Sequence, residues 1–249
     1  NETGIVIAYY MLSKHFENKT LPENAYVIKT IVTTDLIYDI ADEFDVSVID
    51  TLTGFKYIGG IIEENLGKMN FIMGFEESYG YLTGDYIRDK CAVGAAAMIC
   101  EIALFCKKSG ITIVDYLNRI YVKYGFRKEA LKSFTLKGID GVVKIKHIMT
   151  NMREHTPKQI AGIKVMRQRD LEALEVKENG KIISKIKLPK SNVFTFYLED
   201  GSTITARPSG TEPKIKFYFS VKENLKDISE IESVKNKALL KTQNFINEV

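Results

Sequence analysis

The chain has 249 residues, 45% hydrophobic and 27% charged, with three cysteines and a formal net charge of +3. That length and apolar content supply real cores for one large or two ordinary domains and exclude a disordered chain. An odd cysteine count with no CxxC or zinc spacing argues against a disulfide-built secreted scaffold and suits a reducing, cytoplasmic setting. The net charge hides an asymmetry. Residues 1–126 carry 11 Lys and Arg against 17 Asp and Glu, net −6, whereas residues 127–249 carry 24 against 15, net +9. The lysines of the basic half are scattered and no nucleic-acid-binding signature accompanies them, so a small phosphorylated substrate ranks above nucleic acid as their partner.

The opening "NETGIVIAYYML" reads as Asn or Thr capping an apolar helical pattern. Because it begins without methionine and already inside such a pattern, the chain is expected to open mid-protein. Residues 25–34, "AYVIKTIVTT", are rich in β-branched side chains and predict a strand. Residues 35–44 carry apolar side chains at helical spacing. A short strand follows at 46–51, a helix at 55–66, a strand at 70–75, and helices at 89–108 and 112–124. Strands separated by helices predict an α/β domain, a mostly parallel sheet with packed helices, whose function sits in loops at the carboxyl ends of strands. The most apolar run, "CAVGAAAMICEIALFC" at 91–106, is shorter than the roughly 20 residues a membrane span requires. It predicts a buried helix, with all three cysteines as small core residues, and no targeting segment is visible.

Beyond about residue 132 the pattern changes to α+β with antiparallel strands. "FTLKG" reads as a strand, "DGVVKIKHIMTNMR" as a helix, and "NVFTFYLEDGSTITARP" as a hairpin whose Asp200-Gly201 is a two-residue turn signal. A charged helix beginning near Asp227 ends the chain. The division is therefore expected as an α/β domain at 1–131 and an α+β domain at 132–249.

Three loops concentrate polar chemistry. "ARPSGTEPKIKFYF" interrupts two strands with Arg207, Ser209, Gly210, Thr211 and Lys214. A planar guanidinium, hydroxyls, an ammonium and an unshielded amide can together grip a phosphate, each charged hydrogen bond contributing roughly 1.5 to 3 kcal/mol. The spacing is neither a Walker A loop nor GxGxxG. A polar turn satisfying its own backbone uses the same residues, and chemistry alone leaves these two readings even. "GFEESYGYLTGDYIRDK" follows the third strand and sets Glu76, Glu77 and Ser78 among glycines, suited to sugar hydroxyls; it holds too few ligands for a metal. "DTLTGFKYI" follows the second strand and brings Thr53, Gly54 and Lys56 to the same sheet edge. The histidines, His15, His147 and His155, are scattered with no nucleophile or ligand partner, which argues against a self-contained acid–base or metal enzyme.

"GFEESYG", then "GDYIRDK", then "RPSGTEPK" about 120 residues later resemble the third and fourth domains of the phosphohexomutase superfamily, most closely its bacterial phosphoglucomutase and phosphomannomutase branch. The resemblance covers nearly the whole chain. It implies that Glu76 and Ser78 read sugar hydroxyls and that Arg207, Ser209, Gly210 and Thr211, with Lys214, hold the phosphate that is not being transferred. It further implies Lys90, ending "GDYIRDK", and Thr53 and Lys56 of "LTGFK" as substrate-facing. Many relatives have glycine directly before Glu-Glu-Ser, whereas here Phe75 intervenes.

The phosphorylated serine and magnesium loops of that superfamily do not occur in these residues. The resemblance therefore implies a substrate-binding half with no catalytic residue of its own, inactive alone. Its partners would be the missing N-terminal domains and a sugar phosphate, with magnesium bound by the missing part and a hexose bisphosphate as intermediate. Phosphopentomutase activity, or a non-catalytic anion- or nucleic-acid-binding module, are the alternatives. No membrane role is implied.

Overall fold

The computed structural model describes residues 1–136, 138–210 and 212–248. The chain divides into two compact units, Asn1–Gly125 with Leu225–Ile231, and Phe126–Asn224 with Glu232–Val249.

The first unit begins with helix α1 (Glu2–Glu17). Asn1 stands at its N-cap, but its side chain does not cap the helix; Asn1 Oδ1 instead accepts from the Thr34 amide at 3.0 Å. Strand β1 (Ala25–Thr30), helix α2 (Leu36–Glu43), strand β2 (Ser47–Thr51), helix α3 (Phe55–Glu64) and strands β3 (Asn70–Glu76) and β4 (Gly80–Leu82) follow. Helices α4 (Ala92–Lys108) and α5 (Ile113–Tyr124) complete the unit. The sheet order is β2-β1-β3-β4, with β1 parallel to β2 and β3 and only β4 antiparallel. Strand β1, flanked by β2 and β3, is buried along its whole length. Tyr26 and Ile28 pack with Phe55, Ile58 and Ile62 of α3.

Helix α4 forms as its pattern predicts, but it is not the buried helix expected. Only Ile102 and Cys106 are buried along it, while Val93 is 80% and Leu104 53% exposed. Alanine and glycine favour no face by bulk, so mean hydropathy does not reveal that one stripe alone meets the unit. Of the cysteines, Cys106 is a core residue, Cys100 is exposed, and Cys91 is the N-cap, accepting from the Gly94 amide at 3.3 Å. Among the described residues no helix is long and apolar enough to cross a membrane.

The second unit opens on strand β5 (Phe126–Thr135) and helix α6 (Gly138–Glu154). Strands β6 (Gln159–Ile160), β7 (Ile163–Asp170), β8 (Glu175–Glu178), β9 (Lys181–Lys185), β10 (Phe194–Leu198), β11 (Thr203–Pro208) and β12 (Lys214–Glu223) precede helix α7 (Ile231–Glu248). The antiparallel sheet runs β5-β12-β11-β10-β7-β8-β9, with β6 pairing on β7. A boundary at 131/132 falls inside β5, which pairs with β12 from Phe126↔Glu223 to Thr135↔Lys214 and so belongs wholly to this sheet. The β10–β11 turn is one residue longer than expected. Tyr197 pairs with Thr203, the Leu198 amide bonds the Ser202 carbonyl, and Gly201 takes φ +81°, giving the three-residue, bulged form of hairpin loop. Asp200 and Glu223 both bind Lys241, which ties α7 to the ends of the sheet.

Candidate functional site

In the first unit the carboxyl ends of β1, β2 and β3 bring three loops to one sheet edge. Strand β3 runs through Phe75 to Glu76, and β4 returns from Gly80, leaving Glu77, Ser78 and Tyr79 as the turn. The intervening phenylalanine does not divert the backbone. Phe75 is fully buried, and its ring occupies the space beside α1 that a Cβ on Gly4 would need. Gly80 is required by close approach: a Cβ there would lie 2.6 Å from Glu76 Cγ and 2.8 Å from the Phe55 ring.

Glu76 is 4% exposed, and its Oε1 accepts from Lys90 Nζ at 2.8 Å. Two residues that the sequence places 14 apart therefore meet as an ion pair at the mouth of the loop. The hydrogen bond to Glu76 holds the Lys90 ammonium above the ordinary lysine range, against the opposing effect of partial burial. Ser78 is exposed at the turn. Thr53 lies half-buried in the bend after β2, and Gly54, with φ +119°, forms the backbone N-cap of α3. Lys56, in the first turn of α3, carries its ammonium 4.9 Å from the Tyr57 ring centroid and has no carboxylate partner among the described residues.

Sequence reasoning missed the group beneath these loops. Lys29, near the end of β1, is 1% exposed and donates to Asp35 Oδ1 at 2.8 Å and to the Thr33 carbonyl at 3.1 Å. Asp50 Oδ1 of β2 lies 3.5 Å away and also accepts from the Tyr38 hydroxyl. A lysine inside a β-branched run carries no motif signal. The acidic residues flanking the next two turns, Asp35 and Asp50, are the only hint of where its charge is met.

In the second unit, β11 and β12 form a hairpin whose loop contains Ser209 and Gly210; Thr211 lies outside the described residues. The Ser209 amide donates to the Lys214 carbonyl at 2.8 Å, and the Ser209 hydroxyl accepts from the Glu212 amide at 3.3 Å. The hydroxyl thus serves the turn, as in a polar turn that satisfies its own backbone. Gly210 is exposed, with open space where a Cβ would be.

The strand register adds what the loop alone does not show. Ile204, Ala206, Ile215, Phe217 and Phe219 are buried on one face of the hairpin, so period-two alternation puts Arg207, Lys214 and Lys216 on the other. Arg207 sits directly opposite Lys216. Like charges in that position are destabilising unless something offsets them. Among the described residues neither has a hydrogen-bond or ion-pair partner, and Lys214 has only Glu212, at 3.7 Å. Lys216 was missed at the level of sequence although alternation in "KIKFYF" marks it.

The comparison with known families matches both units. "Phosphoglucomutase/phosphomannomutase, alpha/beta/alpha domain III" covers residues 1–124, and "Phosphoglucomutase/phosphomannomutase, C-terminal domain" covers residues 149–234. The chain belongs to the phosphoglucomutase/phosphomannomutase family. Curated relatives include a phosphoglucomutase of Staphylococcus aureus (strain bovine RF122 / ET3-1), 37% identical over 229 residues, which are 91% of this chain and 41% of the relative. A Staphylococcus epidermidis phosphoglucomutase is 36% identical over 222 residues, 89% of this chain and 40% of the relative. The chain thus spans about two fifths of the length of the curated phosphoglucomutases it matches. Among solved structures, the exocytosis-sensitive phosphoprotein pp63/parafusin, a phosphoglucomutase from Paramecium in an open form, shares the fold with a TM-score of 0.63 at 18% identity, over 98% of this chain and 40% of that one.

Family membership raises the question of magnesium. No group of three or more His, Cys, Asp or Glu side chains among the described residues is placed to hold a metal ion. The described residues do not fit a magnesium site.

Proposed function

We propose that this chain is the substrate-binding part of a phosphoglucomutase/phosphomannomutase-type isomerase acting on sugar phosphates. The observation that carries the reading is the face of the β11–β12 hairpin, where Arg207 and Lys216 are held opposite one another with no carboxylate partner among the described residues, in the hairpin whose loop contains Gly210. A phosphate dianion is the chemistry that offsets such a pair, and a guanidinium fork can bind two of its oxygens at once. Lys214 completes the cluster. Thr211, Ser209 and Gly210 are assigned to the same phosphate as hydroxyl and amide donors.

The first unit's loops supply the other half of recognition. Glu76, fixed by Lys90, accepts hydrogen bonds from sugar hydroxyls. Ser78, Thr53 and Lys56 offer a second set of polar contacts at the same edge. Rigid, paired groups suit the reading of hydroxyl stereochemistry, because a site that buries polar atoms discriminates against a ligand that leaves them unmatched. In the intact enzyme the reaction moves a phosphoryl group between a serine and the sugar through a bisphosphate. Such transfer depends chiefly on positioning and charge stabilisation. On this reading the present residues bind and orient, accept the sugar in two orientations, and leave the transfer itself, with magnesium, to other parts of the polypeptide.

The test is an NMR titration of the chain with glucose 1-phosphate, mannose 1-phosphate, ribose 1-phosphate and free glucose, following backbone amides. The reading expects Gly210 to respond to all three phosphates and not to free glucose, and Glu76 and Ser78 to differ among the sugars. A Gly210 response to free glucose equal to that with the phosphates would overturn the assignment of the hairpin loop.

A further inference from the structure

The turn between β1 and α2 holds the Glu76–Ser78 loop from the side. Thr30 Oγ1 lies 3.1 Å and Thr33 Oγ1 3.3 Å from the same oxygen, Glu77 Oε2, and the two hydroxyls are 2.8 Å from each other. Both threonines are buried, at 0% and 3% exposure. Three contacts share two protons, so one hydroxyl donates to the carboxylate while the other donates to the first or to the same oxygen. The partner turn is itself pinned, since Lys29 donates to the Thr30 and Thr33 carbonyls and to Asp35.

The loop needs such a hold. Strand β4 is only three residues long. Tyr79 stands at φ +62°, a left-handed conformation uncommon for a tyrosine, and is 88% exposed, so its ring anchors nothing. We propose that Thr30 and Thr33 are positioning residues for sugar recognition: through Glu77 they fix the turn that aims Glu76 and Ser78. The role for sugar rests on the function proposed above; the mechanical role does not. Neither threonine touches the sugar in this scheme, and nothing in their own sequence, "TIVTT", marks them.

The test compares the wild-type chain with Thr30→Val/Thr33→Val, which keeps side-chain shape and removes both hydroxyls, and Thr30→Ser/Thr33→Ser, which keeps the hydroxyls. Glu77→Ala, at a half-buried position of the turn, serves as a second disruption should the buried pair of valines not fold. Two quantities are read: hydrogen exchange over Glu76–Leu82, and calorimetric affinity for glucose 1-phosphate against inorganic phosphate. Loss of hydrogen bonds to a charged acceptor predicts about tenfold faster exchange and about tenfold weaker glucose 1-phosphate binding in the valine and alanine variants. Inorganic phosphate affinity is expected unchanged, and the serine variant is expected to restore both readings. Unchanged exchange over Glu76–Leu82 in the disrupted variants, or no recovery with serine, overturns the positioning role. A wild-type chain that binds glucose 1-phosphate no better than inorganic phosphate instead overturns the sugar reading, and the exchange result still decides the positioning role.

Discussion

The two candidate recognition regions solve opposite electrostatic problems. At the sheet edge of the first unit charges are largely met within the protein: Lys29 by Asp35 and Asp50, and Lys90 by Glu76. On the β11–β12 hairpin Arg207 and Lys216 face each other with no such partner among the described residues. A region that must distinguish hydroxyl patterns gains from groups already fixed before the ligand arrives, because ordering them afterwards would subtract from affinity. A region that must hold a dianion gains from uncommitted cations, whose repulsion the ligand itself relieves. Substitutions in the first region should therefore register mainly as lost stability, and in the second mainly as lost binding.

The largest expected effect breaks the first half of that contrast. Lys29→Met removes the cation from between Asp35 and Asp50; a buried pair broken on one side typically costs about 3 to 5 kcal/mol, and because these carboxylates are 29% and 16% exposed the lower end of that range is expected. Urea unfolding should show this as a lowered midpoint without a change in slope. A loss below about 1 kcal/mol would mean that the carboxylates find solvent or other donors, and that the floor of the site is not held by charge.

The second effect breaks the other half. Arg207→Ala is expected to leave unfolding free energy within about 0.5 kcal/mol of wild type, as substitutions that remove no packed or paired group do. Affinity for glucose 1-phosphate should fall roughly ten- to a hundredfold, the range of a single charged hydrogen bond. Lys216→Ala should weaken the same ligand less, since a single ammonium contributes a point charge rather than a fork. Calorimetry with each variant separates these outcomes. Equal losses for glucose 1-phosphate and free glucose would remove the hairpin from the phosphate-binding role.

The same division governs what could be read from sequence. Elements with strong periodicity were legible: α2, α3 and α5 lie within a few residues of their predicted limits, and β1 stops at Thr30 only because residues 31–34 turn toward α2. Strand β4 was hidden in a polar loop, being too short to alternate. Strand β5 was mostly missed because "FRKEALKSFT" is composed like a helix; it is a strand because ten residues of β12 lie beside it, a tertiary preference that local composition cannot express. The candidate residues themselves were legible as loop chemistry, since Arg, Ser, Gly, Glu and Lys cluster at strand ends. Their supports were not. Lys29, Thr30 and Thr33 act through contacts made across the sheet edge, and a single lysine or threonine has no spacing to betray it. Alternation in "KIKFYF" marks the face that Lys216 shares, but only the register sets it against Arg207.

The smallest expected effect sharpens the contrast by asking how firmly the first region's outermost pair is made. Glu76 raises the folded-state pKa of Lys90 above its unfolded value. A raised lysine contributes stability that is fully present below the ordinary value of 10.5 and is lost as pH rises through the higher folded value. The Lys90 side chain is 47% exposed, so solvent screening limits the contribution to on the order of 1 kcal/mol or less, even though Glu76 is buried. The stability difference between wild type and Lys90→Met should accordingly be constant from pH 7 to 9 and shrink as the pH is taken beyond 10.5. Subtracting the variant cancels the other lysines and tyrosines that titrate in the same range. A difference that does not move with pH would show that Lys90 stabilises by packing its aliphatic stem rather than by its charge. Glu76 would then be oriented by the β3–β4 turn and the Gly80 contact alone.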